Sequence, residues 1–412
     1  MRKSLCFLAI FLFATILASS AWAGGKGANK GRVDQLRVMT RNLYIGADIL
    51  SVRDLPPCGA LQAVHELFEE IMASNPPERM EAIADEIMQK QPQVVALQEV
   101  YRISTQYPSN SYVYDLATGG FTLANYDTNQ DGSITFKLDA EDVEFDYLDL
   151  LLEALKKRGL QYEVVWDALA KESDFEFPSW NLVPDPELGC VPADEALPTD
   201  VRAEDRDVIL VRSDVMTGDG NSYKYSALLP FPVLTGDPVH PVVQVILVRG
   251  YGATDITYEG QTYRFVNTHL EVDDQSDPDS IINFIQAAQA RELIQTLTSA
   301  DLPLIVAGDF NSSPDPTDVT QSYGLMVNSG YTDIWSQFGG RPDDTCCQAA
   351  DLSNFKSELS KRVDLILVRP SAETEFMPSP VWLTGDRQGD KTASGLWPSD
   401  HAGVATMLKL KQ

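Results

Sequence analysis

The chain carries only four histidines, and two of them close strand-like runs beside other polar groups. His269 ends Arg264-Phe265-Val266-Asn267-Thr268-His269, and His401 follows Ser399-Asp400. The apolar run Leu304-Ile305-Val306-Ala307 leads into Gly308-Asp309-Phe310-Asn311, Val94 to Leu97 leads into Gln98-Glu99, and an alternating segment from Leu36 delivers Asn42. Imidazole, carboxylate and carboxamide are groups that move protons and hold hard cations. A lone histidine is more often a hydrogen-bonded structural residue, but here several strands end in the same way. Burying so many polar groups without a task would be costly, and strand carboxyl ends are where α/β sheets gather their sites. Asp364, in Arg362-Val363-Asp364-Leu365-Ile366, fits the same set, because Val363, Leu365 and Leu367 share one strand face and Asp364 and Ile366 the other. Taken alone, it reads as a surface salt-bridge partner of Arg362. His65 and His240 carry no motif and read as a helix-surface residue and a loop residue.

The elements that must position these groups follow from periodicity. Leu36 to Tyr44 alternates like a half-buried strand, and Pro76-Pro77 to Gln91 carries Met80, Ile83, Ala84, Ile87 and Met88 on one helical stripe that Pro92 ends. Val94 to Leu97 reads as a short buried strand. A helix around Phe145 to Leu155 stops at Gly159 and is followed by the strand-like run Tyr162 to Trp166. Residues 168–203 are rich in Pro, Asp and Glu with little periodicity, which predicts a long loop or insertion. Strands are then expected at Asp207–Arg212, Ser222–Leu229, Val242–Arg249, Thr262–His269, Leu302–Ala307, Val363–Val368 and Val404–Leu408, with a helix over Ser280–Thr298. No linker divides the chain, so the expectation is one large α/β domain with insertions.

Taken in order, Asn42, Gln98-Glu99, Asn267-Thr268-His269, Gly308-Asp309-Phe310-Asn311, Arg362-Val363-Asp364-Leu365-Ile366 and Ser399-Asp400-His401 resemble the motifs of the endonuclease/exonuclease/phosphatase superfamily. That superfamily includes secreted DNases of the pancreatic type, abasic-site endonucleases, neutral sphingomyelinases and inositol polyphosphate phosphatases. The resemblance runs from about residue 36 to 409. It implies an α/β four-layer sandwich of two mixed β-sheets packed face to face with flanking helices, here with insertions at about 104–144 and 168–205.

The resemblance also implies roles. Glu99 is similar to the family's carboxylate ligand for a divalent ion, Mg²⁺ or Mn²⁺, with Asn42 supporting that ion directly or through water and Asp400 as a further metal-side carboxylate. Asp309 matches the residue that orients or deprotonates the attacking water, and Asn311 would fix the water or a phosphate oxygen. His401 would stand near the scissile phosphate, oriented and charged by Asp364, and His269 matches a phosphate-binding histidine. Together they imply metal-assisted hydrolysis by in-line attack on a phosphodiester, in a nucleic acid or a phospholipid head group. No protein partner is implied, and a monomer is expected. Inositol phosphates are disfavoured, because no insertion rich in Lys and Arg is present. The alternative from another class is a non-catalytic secreted module that keeps the fold and binds calcium; it would be marked by a lost catalytic residue, and every main position is filled.

A separate signal is Asp127-Thr128-Asn129-Gln130-Asp131-Gly132, which matches the start of an EF-hand-like loop and would place Asp127, Asn129 and Asp131 on structural Ca²⁺. Leu138 stands where the bidentate Glu should be, with Asp139 or Glu141 as substitutes after a shift; the simpler reading is an Asn/Asp/Gly turn. The acids from Asp139 to Asp149 read as a helix start and a solvated face. Phe175, Phe177 and Trp180 in the aperiodic stretch read either as a substrate rim or as cover over the core.

Met1-Arg2-Lys3, an apolar run from Leu5 to Ala18 and Ala21-Trp22-Ala23 read as a signal peptide cleaved near Ala23, giving a secreted protein, periplasmic or extracellular. The run is too short for a stable membrane span. Residues 24–35 read as a flexible lead and 36–412 as the single domain. Asp and Glu total 60 against 32 Lys and Arg, a net charge of −28, which argues against a broad basic nucleic-acid-binding face. Hydrophobic content of 44% excludes a mainly disordered chain. Cleavage removes Arg2, Lys3 and Cys6, leaving an even set, Cys58, Cys190, Cys346 and Cys347. Because a vicinal disulfide is strained, Cys58 and Cys190 are expected to pair, in either order, with Cys346 and Cys347; no Cys-x-x-Cys spacing suggests a thiolate metal site.

Overall fold

The structure, a computed structural model, describes residues 35–49, 58–115, 120–187, 189–234, 242–340, 343–372, 374–377 and 380–411. The leader, the lead up to residue 34 and His240 lie outside them. The first strand spans Gln35–Asn42, one residue ahead of the predicted start. It pairs in parallel with Val94–Gln98 and antiparallel with Gly403–Lys411, while Val94–Gln98 also pairs antiparallel with Thr199–Arg212. These four form the centre of a ten-stranded mixed sheet. The second sheet has six strands. At its centre, Gly250–Tyr258 and Gln261–His269 are antiparallel, Gln261–His269 and Leu304–Asp309 parallel, and Leu304–Asp309 and Asp364–Arg369 antiparallel.

Side-chain alternation builds the layers. Leu36, Val38, Val94, Ala96, Ile209 and Val211 from the first sheet meet Phe265, Ile305, Ala307, Ile366 and Val368 from the second in one buried cluster. Their chain neighbours point the other way. Met39, Val95, Leu97, Val208 and Leu210 pack under helices α1 (Gly59–Ala73), α2 (Pro76–Lys90) and α3 (Tyr147–Lys157). Val266, Leu304, Val306, Leu365 and Leu367 pack under α4 (Ile281–Leu297) and α5 (Ser322–Asn328). Strands covered on both faces read as continuous apolar runs, and the result is the expected four layers, helix, sheet, sheet, helix.

The local stops are physical. Asn75 caps α2 by accepting from the Glu78 amide, two prolines occupy its first turn, and Gln91 closes it in the left-handed region before Pro92. Asp146 caps α3 by accepting from the amides of Leu148 and Asp149 and also pairs with Arg206 at 2.7 Å, so this one acid of the series does more than face solvent.

Three expectations are corrected. The stretch predicted as a long loop is instead strand: Ala170–Ser179, Leu182–Asp185 and Gly189–Pro192 lead into Thr199–Arg212, against which Ala170–Ser179 pairs from Ala170↔Asp207 to Ser179↔Thr199. Its polar, proline-containing sequence hides a two-residue alternation whose apolar members, Phe175 and Phe177, face α1 and the strands Leu229–Leu234 and Val242–Leu247. Those two phenylalanines are therefore cover over a core. The slot they line is entirely apolar and about 70 Å³, less than half the roughly 150 Å³ that admits benzene. The predicted Ser222–Leu229 strand is two, Met216–Lys224 and Leu229–Leu234, and the strand Gly250–Tyr258 was not anticipated. Finally, the disulfides join Cys58 to Cys190 and Cys346 to Cys347. The first pair comes together because α1 begins at Gly59 and packs on the Ala170–Ser179 strand, beside the hairpin that holds Cys190.

Candidate active site

The polar strand ends share one edge because of register. In the second sheet Asp309 lies opposite His269 on one side and Asp364 on the other. In the first, Asn42 lies opposite Gln98, and Glu99 follows in the left-handed region at φ 53°. His401 precedes the Gly403–Lys411 strand, whose start pairs beside Thr40. Parallel strands end, and antiparallel strands begin, on this edge, so carboxyl-terminal Asp309 and amino-terminal Asp364 become neighbours.

Amides join the two sheets. Asn267, fully buried, donates to the carbonyls of Leu97 (2.8 Å) and Val208 (3.1 Å) and accepts from Gln98 Nε2 at 2.6 Å. Asn42 Nδ2 donates to Glu99 Oε1 at 2.9 Å and to Asp309 Oδ2 at 3.1 Å, while its Oδ1 accepts from the Tyr44 amide at 2.9 Å. Asn42 thus orients two carboxylates with its NH₂ and accepts from the backbone with its oxygen. Glu99 Oε2 accepts from the Ile45 amide at 3.1 Å.

Around Asp309 the two histidines are disposed alike and charged differently. Each Nε2 stands near Asp309 Oδ2, His401 at 3.7 Å and His269 at 3.8 Å. His401 Nδ1 is 2.8 Å from Asp364 Oδ2. Burial works against a charge on His401, but Asp364, Asp400 and Asp309 outweigh it and hold the imidazolium well above its ordinary range. His269 goes the other way: burial, Arg249 and His401 hold it well below. Arg249 Nη1 lies 2.9 Å from His269 Nδ1, and since a guanidinium can only donate, the His269 proton sits on Nε2, facing Asp309. Asp309 Oδ1 accepts from the Asn311 amide at 2.8 Å. Burial and Asp364 push Asp309 up to about 6 against the pull of His401. Asn311 Nδ2 stands 3.4 Å from His269 Nε2 and donates to the Leu270 carbonyl at 3.0 Å. Asp400 is pushed up to about 7 by burial and by Glu99 and Asp309, opposed by His401 and Arg79.

Asp364 does not pair with Arg362, which binds Asp333 at 2.9 Å instead. The structure brings Asn42, Glu99, His269, Asp309, Asn311, Asp364, Asp400 and His401 to this one edge. Asp127, Asn129 and Asp131 lie elsewhere, in the hairpin between Tyr126–Thr128 and Ile134–Phe136. There Asp131 Oδ1 accepts from the Ser133 amide at 3.0 Å and Asn129 Nδ2 donates to Ser133 Oγ at 3.0 Å, an Asx-type turn closed by its own side chains.

Other residues here escaped the sequence reading. Arg249 sits among Glu172 (3.0 Å), Asp205 (3.3 Å) and Glu271 (3.8 Å), all buried. Asp205 and Asp207, 1% and 0% exposed, both turn inward, two residues apart on one strand face. Arg79 donates to the Tyr44 carbonyl (2.6 Å) and the Pro398 carbonyl (2.9 Å), and Arg41 binds Glu86 at 2.9 Å and donates to the His401 carbonyl. These two fully buried arginines fasten the loops that carry Asp400 and His401. An arginine inside an apolar run, as in Arg37-Val38-Met39-Thr40-Arg41, was the available signal.

A family model for the Endonuclease/Exonuclease/phosphatase family matches residues 72–401, a span holding every residue of this edge except Asn42. No curated protein matches. Among solved structures, an endonuclease/exonuclease/phosphatase family protein from Bacteroides thetaiotaomicron is 15% identical over 92% of this chain and 100% of its own, with a TM-score of 0.48. One from Beutenbergia cavernae is 18% identical over 92% and 72%, TM-score 0.46, and truncated Caenorhabditis elegans TDP2 is 13% identical over 91% and 97%, TM-score 0.44. Members of the matched family are generally hydrolases of phosphodiester bonds that use divalent metal ions. With four-fifths of its length matched, the chain belongs to the Endonuclease/Exonuclease/phosphatase family and is, in those general terms, a metal-dependent phosphoesterase.

Proposed function

We propose that the chain is a secreted phosphodiesterase in which Asp309 directs a water in line at a phosphodiester held between His269 and His401. The observation that carries the reading is the placement of both imidazole Nε2 atoms within 4 Å of one Asp309 oxygen, one ring beside the Asp364 carboxylate, which favours its charged form, and the other buried beside Arg249, where burial and the guanidinium disfavour it. The donor set beside them fits a hard divalent ion: Glu99 and Asp400 offer only carboxylate oxygens, and Asp400 is already short of positive charge. Such an ion, Mg²⁺ or Mn²⁺, would offset charge on the phosphoryl oxygens.

The chain's own residues do the rest. Asp309, fixed at both oxygens by Asn311 and Asn42, accepts the water's proton from a set direction. His401, an imidazolium, faces the charge that develops on phosphorus oxygens and can supply a proton to the leaving group. His269 donates through Nε2 without changing charge. Secretion is supported by the leader and by the Cys58–Cys190 crosslink. The acidic surface favours a substrate that enters a small site over a polyanion drawn in by long-range attraction.

Hydrolysis of bis-p-nitrophenyl phosphate with Mg²⁺, Mn²⁺ or EDTA tests the reaction. DNA, RNA, sphingomyelin, phosphatidylcholine and inositol phosphates then separate a nuclease from a phospholipid diesterase. Asp309→Ala and His401→Ala should each abolish turnover in a folded protein; retained activity in both would sink the assigned site.

A further inference from the structure

Away from this edge, Asp139, Glu176 and Asp200 bring one carboxylate oxygen each to within 4.8 Å of one another. They come from three separate segments: the link after the Ile134–Phe136 strand, the Ala170–Ser179 strand, and the start of Thr199–Arg212. Glu176 and Asp200 are 2% and 0% exposed. Among the described residues, none of the three makes an ion pair with a basic side chain. The neighbouring Arg202 is taken by Asp174 at 2.8 Å.

The cluster is also underused. Glu176 Oε1 and Asp139 Oδ1 are buried without a hydrogen-bond partner, and the fully buried Ser111 hydroxyl lies against Asp200. The other oxygens are fixed. Glu176 Oε2 accepts from the amides of Asp139 and Ala140, both at 2.8 Å, Asp139 Oδ2 accepts from Asn125 Nδ2 at 2.7 Å, and Asp200 Oδ2 accepts from the Asn110 amide at 2.9 Å. So three segments are drawn in around a cluster in which Glu176 Oε1 and Asp139 Oδ1 face no donor, while both Asp200 oxygens are held, Oδ1 by Ser109 Oγ at 2.5 Å; buried anions left in that state are costly.

We infer that Asp139, Glu176 and Asp200 bind a structural Ca²⁺ ion that pins these segments to the first sheet. Calcium–oxygen bonds of about 2.3–2.6 Å put ligand oxygens up to roughly 5 Å apart across the ion, so three oxygens within 4.8 Å of one another can share one ion. Carboxylate and hydroxyl oxygens brought together from three separate segments suit Ca²⁺, which accepts irregular coordination, better than octahedral Mg²⁺. The site stands apart from Glu99 and does not depend on the proposed reaction.

Equilibrium dialysis of the full chain with radiolabelled Ca²⁺ in excess Mg²⁺ tests this, using Glu176→Gln and Asp200→Asn. The wild type should hold one Ca²⁺ per chain more than either variant, and Ca²⁺ should raise the melting temperature of the wild type but not of the variants. Asp131→Asn and Glu99→Gln should bind that ion as the wild type does. Equal Ca²⁺ binding by wild type and both variants, or loss of the ion in Asp131→Asn alone, overturns the assignment. If the variants do not fold, Tb³⁺ luminescence of the wild type replaces them: a signal displaced by Ca²⁺ but not by Mg²⁺ supports the site, and its absence overturns it.

Discussion

Replacing Asp364 by Asn probes the electrostatics that set His401 apart from His269. The substitution keeps size and an acceptor oxygen but removes the negative charge 2.8 Å from His401 Nδ1. An opposite charge at such a distance typically shifts a pKa by about 1–3 units, at 1.36 kcal/mol per unit. Asp309 and Asp400 remain 3.7 and 3.9 Å from Nε2 and still favour the charged ring, so the loss belongs in the lower part of that range, about 1–2 units. If His401 must be charged in the reaction, the alkaline limb of kcat/KM against pH moves down by that amount, and activity above the limb falls roughly 10- to 100-fold. The stability sign follows from linkage. Because His401 is raised in the folded state, its contribution is complete below the unfolded value near 6.5 and is lost as pH rises through the folded value. The stability gap between wild type and Asp364→Asn should therefore narrow on the alkaline side. The measurements are pH-rate profiles on bis-p-nitrophenyl phosphate and urea melts at several pH values. An unmoved alkaline limb at unchanged stability would refute the reasoning.

Glu99→Gln removes the charge and keeps only one of the two bonds that Glu99 accepts from Asn42 and Ile45, since its NH₂ cannot accept; calorimetry should show Mg²⁺ affinity and activity falling together in a chain that still folds, with a modestly lower melting temperature. Gly308, at φ 155°, lies so close to strand Gln261–His269 that a Cβ would collide with the Thr268 carbonyl oxygen; Gly308→Ala should destabilise by about 3 kcal/mol or more by denaturant titration. Cys58→Ser opens a crosslink between residues 132 apart in sequence and should cost about 2–5 kcal/mol, seen as a lower melting temperature that reductant reproduces in the wild type.

Much of the scaffold and the edge was legible because both are written locally. Val94–Leu97 and Leu304–Ala307 are short apolar runs that fit only buried strands, and the polar residue after each must emerge where the strand stops. Helix α2 announced itself by its stripe and its prolines. The Ala170–Ser179 strand did not, because its polar face is buried against other polar groups, with Glu172 on Arg249 and Glu176 beside Asp200, so alternation of hydrophobicity was weak. Arg249 escaped for a related reason: a cation at a strand end looks solvated until three acids from distant segments close around it. The disulfide pairing escaped because avoiding a vicinal bond is a local rule, while Cys58 and Cys190 meet through the packing of α1 on an insertion.

The amino-acid sequence alone determined which side chains end strands, hence that carboxylates, carboxamides and two histidines would share one edge of an α/β sandwich. Periodicity and strand termination are short-range consequences of residue type. Tertiary structure alone decided what each group does there. Register set Asp309 between His269 and Asp364, packing placed Arg249 on one imidazole and Asp364 on the other, and burial made those contacts strong enough to leave one ring neutral and the other charged. Charge state depends on what surrounds a group in three dimensions, and no spacing along the chain encodes it.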